Sequence, residues 1–183
     1  MDNLRQRLRL WGGALHHQVD TAFSALTLET AEGYRQFLQA HAAALFSLED
    51  CLAQQGVSQL LDDWPARQRS NALRADLQAL NCEPAPALTI TPRGGPGWCW
   101  GALYVLEGSR LGGKLLARRL QAAQPGAPMH YLDHAADQGL WPGFLQRLES
   151  QAHGCDEREL QQGVEDAFGL FIRAASASAE AKL

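Results

Sequence analysis

A histidine and an aspartate one helical turn apart, and a run of glycines inside an otherwise good helix, are the residues of this chain whose chemistry needs explaining. His16 and Asp20 stand at i and i+4 in LRLWGGALHHQVD, which puts both on one helix face. An imidazole with one ring nitrogen tied to a carboxylate keeps the other as a metal ligand. The same spacing also describes a half-buried histidine with a salt-bridge partner. In LYVLEGSRLGGKLLARRL, Gly108, Gly112 and Gly113 interrupt a segment built from Leu, Lys and Arg. Glycine costs a helix interior about 0.5–1 kcal/mol relative to alanine. Either something approaches the backbone closely there, or the helix bends.

The elements that position these residues are helical. Leu4, Leu8, Trp11, Leu15, Val19 and Phe23 recur at steps of three and four and predict a first helix from about Asp2 to Ser24. Thr30 caps a second, carrying Tyr34, Phe37, Leu38, Leu45 and Leu48 to about Ala53. A third stretch is expected over Pro65–Leu80, with Pro65 in its first turn. Cys82 to Gly97 is rich in Pro and Gly and reads as a loop. The glycine-bearing helix follows from about Trp98 to Ala123, then shorter helices at Trp141–Ala152 and Asp156–Ser176. No internal repeat or convincing strand pair is found. The expectation is one all-α domain over residues 1–176, with a frayed tail over 177–183.

Composition narrows the function classes. A chain of 183 residues suits one domain with a proper core. A formal net charge of −4 argues against nucleic acid as a partner. The N-terminus lacks the apolar centre of a signal peptide, and no apolar run reaches membrane-spanning length. A cytoplasmic protein without a membrane partner is expected. Cys51, Cys82, Cys99 and Cys155 show no C-x-x-C or paired spacing, so they read as ordinary thiols. Phosphate-loop, dinucleotide, zincin and nucleophile-elbow templates are all missing. A small-molecule site here belongs between helices, with glycine opening the space.

Several motifs carry a family resemblance. Leu8-Arg9 stands eight and seven positions before His16, and His16 opens H-x-x-V-D. Gly101 to Gly113 reads G-x-L-Y-V-L-E-G-S-x-L-G-G; DDWPARQRSNALRADLQAL and the later A-F-G-L-F add looser matches. Together these resemble the haem oxygenases, and within them the bacterial, biliverdin-producing branch often associated with bacteriophytochromes. The resemblance implies an all-α haem oxygenase-like fold with haem between a proximal N-terminal helix and a glycine-kinked distal helix. It implies haem as both cofactor and substrate, its iron held by His16 with Asp20 supporting the ligand. Gly108, Ser109, Gly112 and Gly113 would form the distal wall where the chemistry occurs. Arg9 would meet a propionate and Tyr104 the haem edge, with Arg147 a weaker propionate candidate. Arg110 and Lys114 are expected at the surface.

The implied reaction consumes O2 and reducing equivalents and releases biliverdin, carbon monoxide and ferrous iron. A ferredoxin or reductase would supply the electrons, since the chain carries no flavin or nicotinamide motif, and a bacteriophytochrome would accept biliverdin. The alternatives are a haem carrier or sensor without catalysis, or a helical interaction domain that has lost haem. Two features depart from the family pattern. Gly12-Gly13 precedes His16, where better helix formers are usual, and the bulky pair Trp98 and Trp100 leads into the distal helix.

Overall fold

A computed structural model describes residues 3–136 and 138–180. Among them lie seven α-helices and two short 3-10 turns, and no strand. Helix α1 (Leu4–Ser24) begins with a capping box: Asn3 Oδ1 accepts the Arg5 N–H, and Gln6 Oε1 accepts the Asn3 N–H. Leu8 is completely buried. The Gly12-Gly13 pair leaves α1 unbroken. A Cβ on Gly12 would stand 3.0 Å from the Phe168 ring, so this glycine lets α1 lie close to the last helix.

Helix α2 (Ala31–Gln54) starts where Thr30 Oγ1 accepts the Gly33 N–H, as its N-cap position requires. The stretch expected as one helix over Pro65–Leu80 is two, α3 (Trp64–Arg67) and α4 (Ser70–Ala79). Its division has a distant cause. The buried carboxylate of Glu49, on α2, accepts the N–H groups of Arg69 and Ser70 and the Ser70 hydroxyl. It thereby satisfies the start of α4 in place of a local cap. Gln68 turns extended at the break.

After the expected loop, α5 (Pro96–Ala123) stays helical through Gly108, Gly112 and Gly113. Then come α6 (Leu140–Gln151) and α7 (Glu157–Glu180), which continues past residue 176; residues 181–183 lie outside the described residues. Helix α7 packs on α5, α1 and α2. Where it meets α5 the backbones touch: a Cβ on Gly101 would lie 2.1 Å from Leu160 O, and one on Gly163 2.1 Å from Trp98 O. Trp98 and Trp100 are buried in this packing, Trp98 donating Nε1–H to Asp166 and Trp100 lying beside Phe144. Neither lines the cavity described below.

The segment between α5 and α6 crosses over the bundle and is tied down at several points. Tyr34 donates to Pro128 O at 2.6 Å. The fully buried Asp76 accepts the N–H groups of His130 and Tyr131 at 3.0 and 2.8 Å, and the His130 ring lies 2.6 Å from it.

Candidate functional site

A cavity of about 510 Å³ opens between α1, α2, α5 and α7. That size is in the range of small-molecule sites. Its walls are mainly apolar and aromatic, with Phe23, Phe37, Trp141, Phe168 and Phe171 prominent.

From α1, His16 and Asp20 both reach it, and His16 Nδ1 lies 3.1 Å from Asp20 Oδ2. A carboxylate at that distance accepts an Nδ1–H, which leaves the Nε2 lone pair for a ligand bond. The Phe168 ring meets the His16 ring edge-on at 6.0 Å between centroids. His17 is turned to Thr21 and does not line the cavity. His41 does, but four aromatic rings surround it, and its Nδ1 lies 2.9 Å from Phe37 O. Burial, with the Arg69 charge nearby, pushes its pKa down to about 3, so it is a neutral imidazole at any ordinary pH.

From α5, Tyr104, Gly108, Ser109, Gly112 and Gly113 all line the same space. The three glycines differ in what they face. A Cβ on Gly112 would meet nothing within 4 Å, one on Gly108 would rest 3.5 Å from the Trp141 indole, and one on Gly113 would come within 3.1 Å of Leu132 O. Gly112 therefore opens the wall outright, and Gly113 admits the crossing segment. The Ser109 hydroxyl is already committed, donating to Leu106 O at 2.7 Å and accepting from Arg69 Nη2 at 3.0 Å. Burial raises the Tyr104 phenol's pKa, against an opposing effect of Arg5 and Arg9.

Beneath α5 sits a buried charge network. Glu107 receives Arg67 at 2.6 Å and Arg110 at 3.0 Å through both of its oxygens. Arg110, expected at the surface, is 9 % exposed, because Glu107 one turn earlier draws it inward; Lys114 is exposed as expected. Burial, together with the neighbouring Arg69, lowers the Arg110 pKa.

Of the residues singled out from sequence, His16, Asp20, Tyr104, Gly108, Ser109, Gly112 and Gly113 line one cavity. Arg9 does not. It is exposed, within electrostatic reach of Tyr104 and two turns before His16 on α1. Arg147 is removed from the site, paired with Asp62 at 2.5 Å. Sequence reasoning missed Arg69, Tyr131, Trp141 and Phe168, which come from four separate segments. Arg69 lay within the DDWPARQRSNALRADLQAL motif, but nothing in its spacing marked it out as a cavity residue.

Fold and cavity define an all-α protein built around an apolar small-molecule site, with one carboxylate-backed imidazole and a glycine face on separate helices. Comparison with known proteins agrees. A heme oxygenase of Xanthomonas campestris pv. campestris (strain 8004) is 38 % identical over 133 residues, spanning 69 % of this chain and 80 % of that protein. The fold matches a crystallised heme oxygenase from Neisseria meningitidis with a TM-score of 0.82 at 22 % identity, over 94 % of this chain and 90 % of the other. No family model matches the sequence. The chain belongs to the haem oxygenase family.

Proposed function

We propose that this protein is a haem oxygenase, opening the haem ring with O2 and reducing equivalents to give biliverdin, carbon monoxide and ferrous iron. One observation carries the reading beyond family membership: a histidine with its Nδ1 beside a carboxylate, and a glycine with empty space before it, line the same apolar cavity. The donor set suits haem. The aromatic walls match a flat apolar ligand, and a single carboxylate-backed imidazole would leave an iron position free for oxygen. Among the described residues no cluster of three or more His, Cys, Asp and Glu could hold a bare metal ion.

When bound, haem supplies the iron that activates oxygen and the porphyrin edge that is oxidised. The chain's residues supply the rest. Asp20 keeps the His16 ring in the tautomer that presents Nε2. Gly112 leaves the distal wall open, and Gly108 keeps side-chain bulk from it. Ser109, held between Leu106 and Arg69, contributes a fixed acceptor and no free proton. Phe37, Phe168 and Phe171 exclude water from the ring. Arg9, outside the cavity lining, would receive a propionate, and Tyr104 would border the ring edge. Electrons come from an external ferredoxin or reductase, and a bacteriophytochrome is the biliverdin acceptor the resemblance favours. No helix among the described residues is long and apolar enough to cross a membrane.

The test is a haemin titration of the protein and of His16→Ala, followed by reductant under air with catalase present. A stoichiometric complex that turns into biliverdin, with histidine ligation lost in the variant, supports both activity and ligand. Haem binding without ring opening would make the protein a carrier or sensor. No spectral change with haemin would leave a helical domain that has lost its ligand.

A further inference from the structure

A second, smaller cavity of about 230 Å³ adjoins the first, between α5 and the segment leading into α6. It shares Arg69, Leu111, Tyr131, Leu132 and Trp141 with the larger one. Its polar lining is basic: Arg69, Arg110, Lys114 and His134, with no carboxylate among the described residues that line it.

These four groups are not equivalent. Arg110 is spent, its guanidinium bonded to Glu107, Arg67 O and His134. Arg69 is not. It is 5 % exposed, yet only its Nη2 finds acceptors, Leu106 O and Ser109 Oγ, both at 3.0 Å and both uncharged. Its guanidinium lies over the Tyr131 ring at 5.4 Å. Glu49 accepts the backbone N–H of Arg69 and leaves its guanidinium alone. Nε and Nη1 make no hydrogen bond among the described residues, and Arg69 forms no ion pair there. A buried guanidinium without a counter-charge is costly, and an anion reverses that cost. Lys114 brings a second cation that is likewise without an ion pair among the described residues. His134 accepts from Arg110 at Nδ1, 3.2 Å away, which leaves its Nε2–H as a donor.

We propose that this side chamber is a carboxylate-binding site, with the unpaired edge of Arg69 and the Lys114 ammonium as its cations and His134 as its neutral donor. A planar carboxylate suits the fork geometry of a guanidinium. The apolar wall of Leu132, Leu140 and Pro142 limits the occupant to a small acid or to a carboxylate arm of a larger ligand in the adjoining cavity.

The first arm of the test uses apoprotein and is independent of the haem reading. Thermal unfolding is followed against sodium formate, with sodium chloride at matched ionic strength as reference. A ligand that binds only the folded state raises the melting temperature once its concentration passes Kd, and logarithmically above that. Formate is expected to do so beyond chloride. Lys114→Gln, at an exposed position, is expected to raise the apparent Kd read from the onset of the rise about tenfold, and Arg69→Gln to abolish the effect. Arg69→Gln alters a buried charge, so Lys114→Gln, checked by circular dichroism, is the deciding variant. Equal responses to formate and chloride would overturn the proposal, as would an unchanged apparent Kd in Lys114→Gln. A second arm identifies the source of the carboxylate. Formate that competes with haemin but not with its dimethyl ester assigns the chamber to a tetrapyrrole side chain. Formate that binds the haemin complex as well as it binds apoprotein assigns it to a free acid.

Discussion

At the residue scale, the site depends on how each ring nitrogen and hydroxyl is already employed. His16 has its Nδ1 beside Asp20 and its Nε2 free, while His41 is enclosed by rings and kept neutral. On the proposed reading, only the first serves as a ligand. His16→Ala is therefore expected to remove histidine ligation from the haemin spectrum while the aromatic cavity still retains haemin. Asp20→Asn keeps the ring but loses the carboxylate, and haemin affinity should fall about tenfold, toward the low end for an outer-shell partner. Both are read from spectral titrations. Ser109→Ala tests the commitment of its hydroxyl. Because that proton is donated to Leu106 O, ring opening should slow only modestly, and a complete loss would mean that Ser109 serves as a proton donor.

Helices turn those residues into a site, and glycine has two separate uses in α5. Gly101 sits where α5 and α7 touch, against the backbone of Leu160. Gly101→Ala would force the helices apart, and urea unfolding should show a loss of about 4 kcal/mol or more. Gly112 faces open cavity instead. Gly112→Ala should stabilise the apoprotein by about 0.5–1 kcal/mol, the ordinary helix-propensity gain, while its new methyl group weakens haemin binding. Opposite signs for stability and binding are the signature of a glycine kept for its cavity. The sequence showed Gly112, with Gly108 and Gly113, as an anomaly but not Gly101, and the course of α1 and α5 was legible from apolar periodicity. Which glycine faces a helix and which a cavity was not, since the propensity penalty is equal at both.

For the molecule as a whole, pH reports on the enclosed histidine. His41 has a pKa of about 3 in the fold, against an ordinary value of 6.5. As pH falls below about 6.5, the unfolded chain takes up this proton before the folded one does. The contribution is intact above that pH and is lost progressively toward about 3. His134, also lowered by burial, acts in the same direction. The melting temperature should drop between pH 7 and pH 5, and by less in His41→Phe. Below about pH 4, the Asp63 carboxylate, held low chiefly by its bond to Arg67, adds a loss common to both proteins.

The sequence alone determined what is local: helix faces repeating every three to four residues, caps beside them, His16 one turn from Asp20, and glycines clustered in a helix that should not want them. These follow from backbone geometry, which neighbouring residues set among themselves. Tertiary structure decided what distant segments do to one another. Glu49 divided the predicted third helix by capping Arg69 and Ser70, and Glu107 with Arg67 drew Arg110 inside. Arg69, Tyr131 and Trp141 met at the wall between two cavities. A charged side chain is buried only where a counter-charge or acceptor arrives to offset its desolvation. Those partners come from separate elements, so no local spacing in the chain announces them.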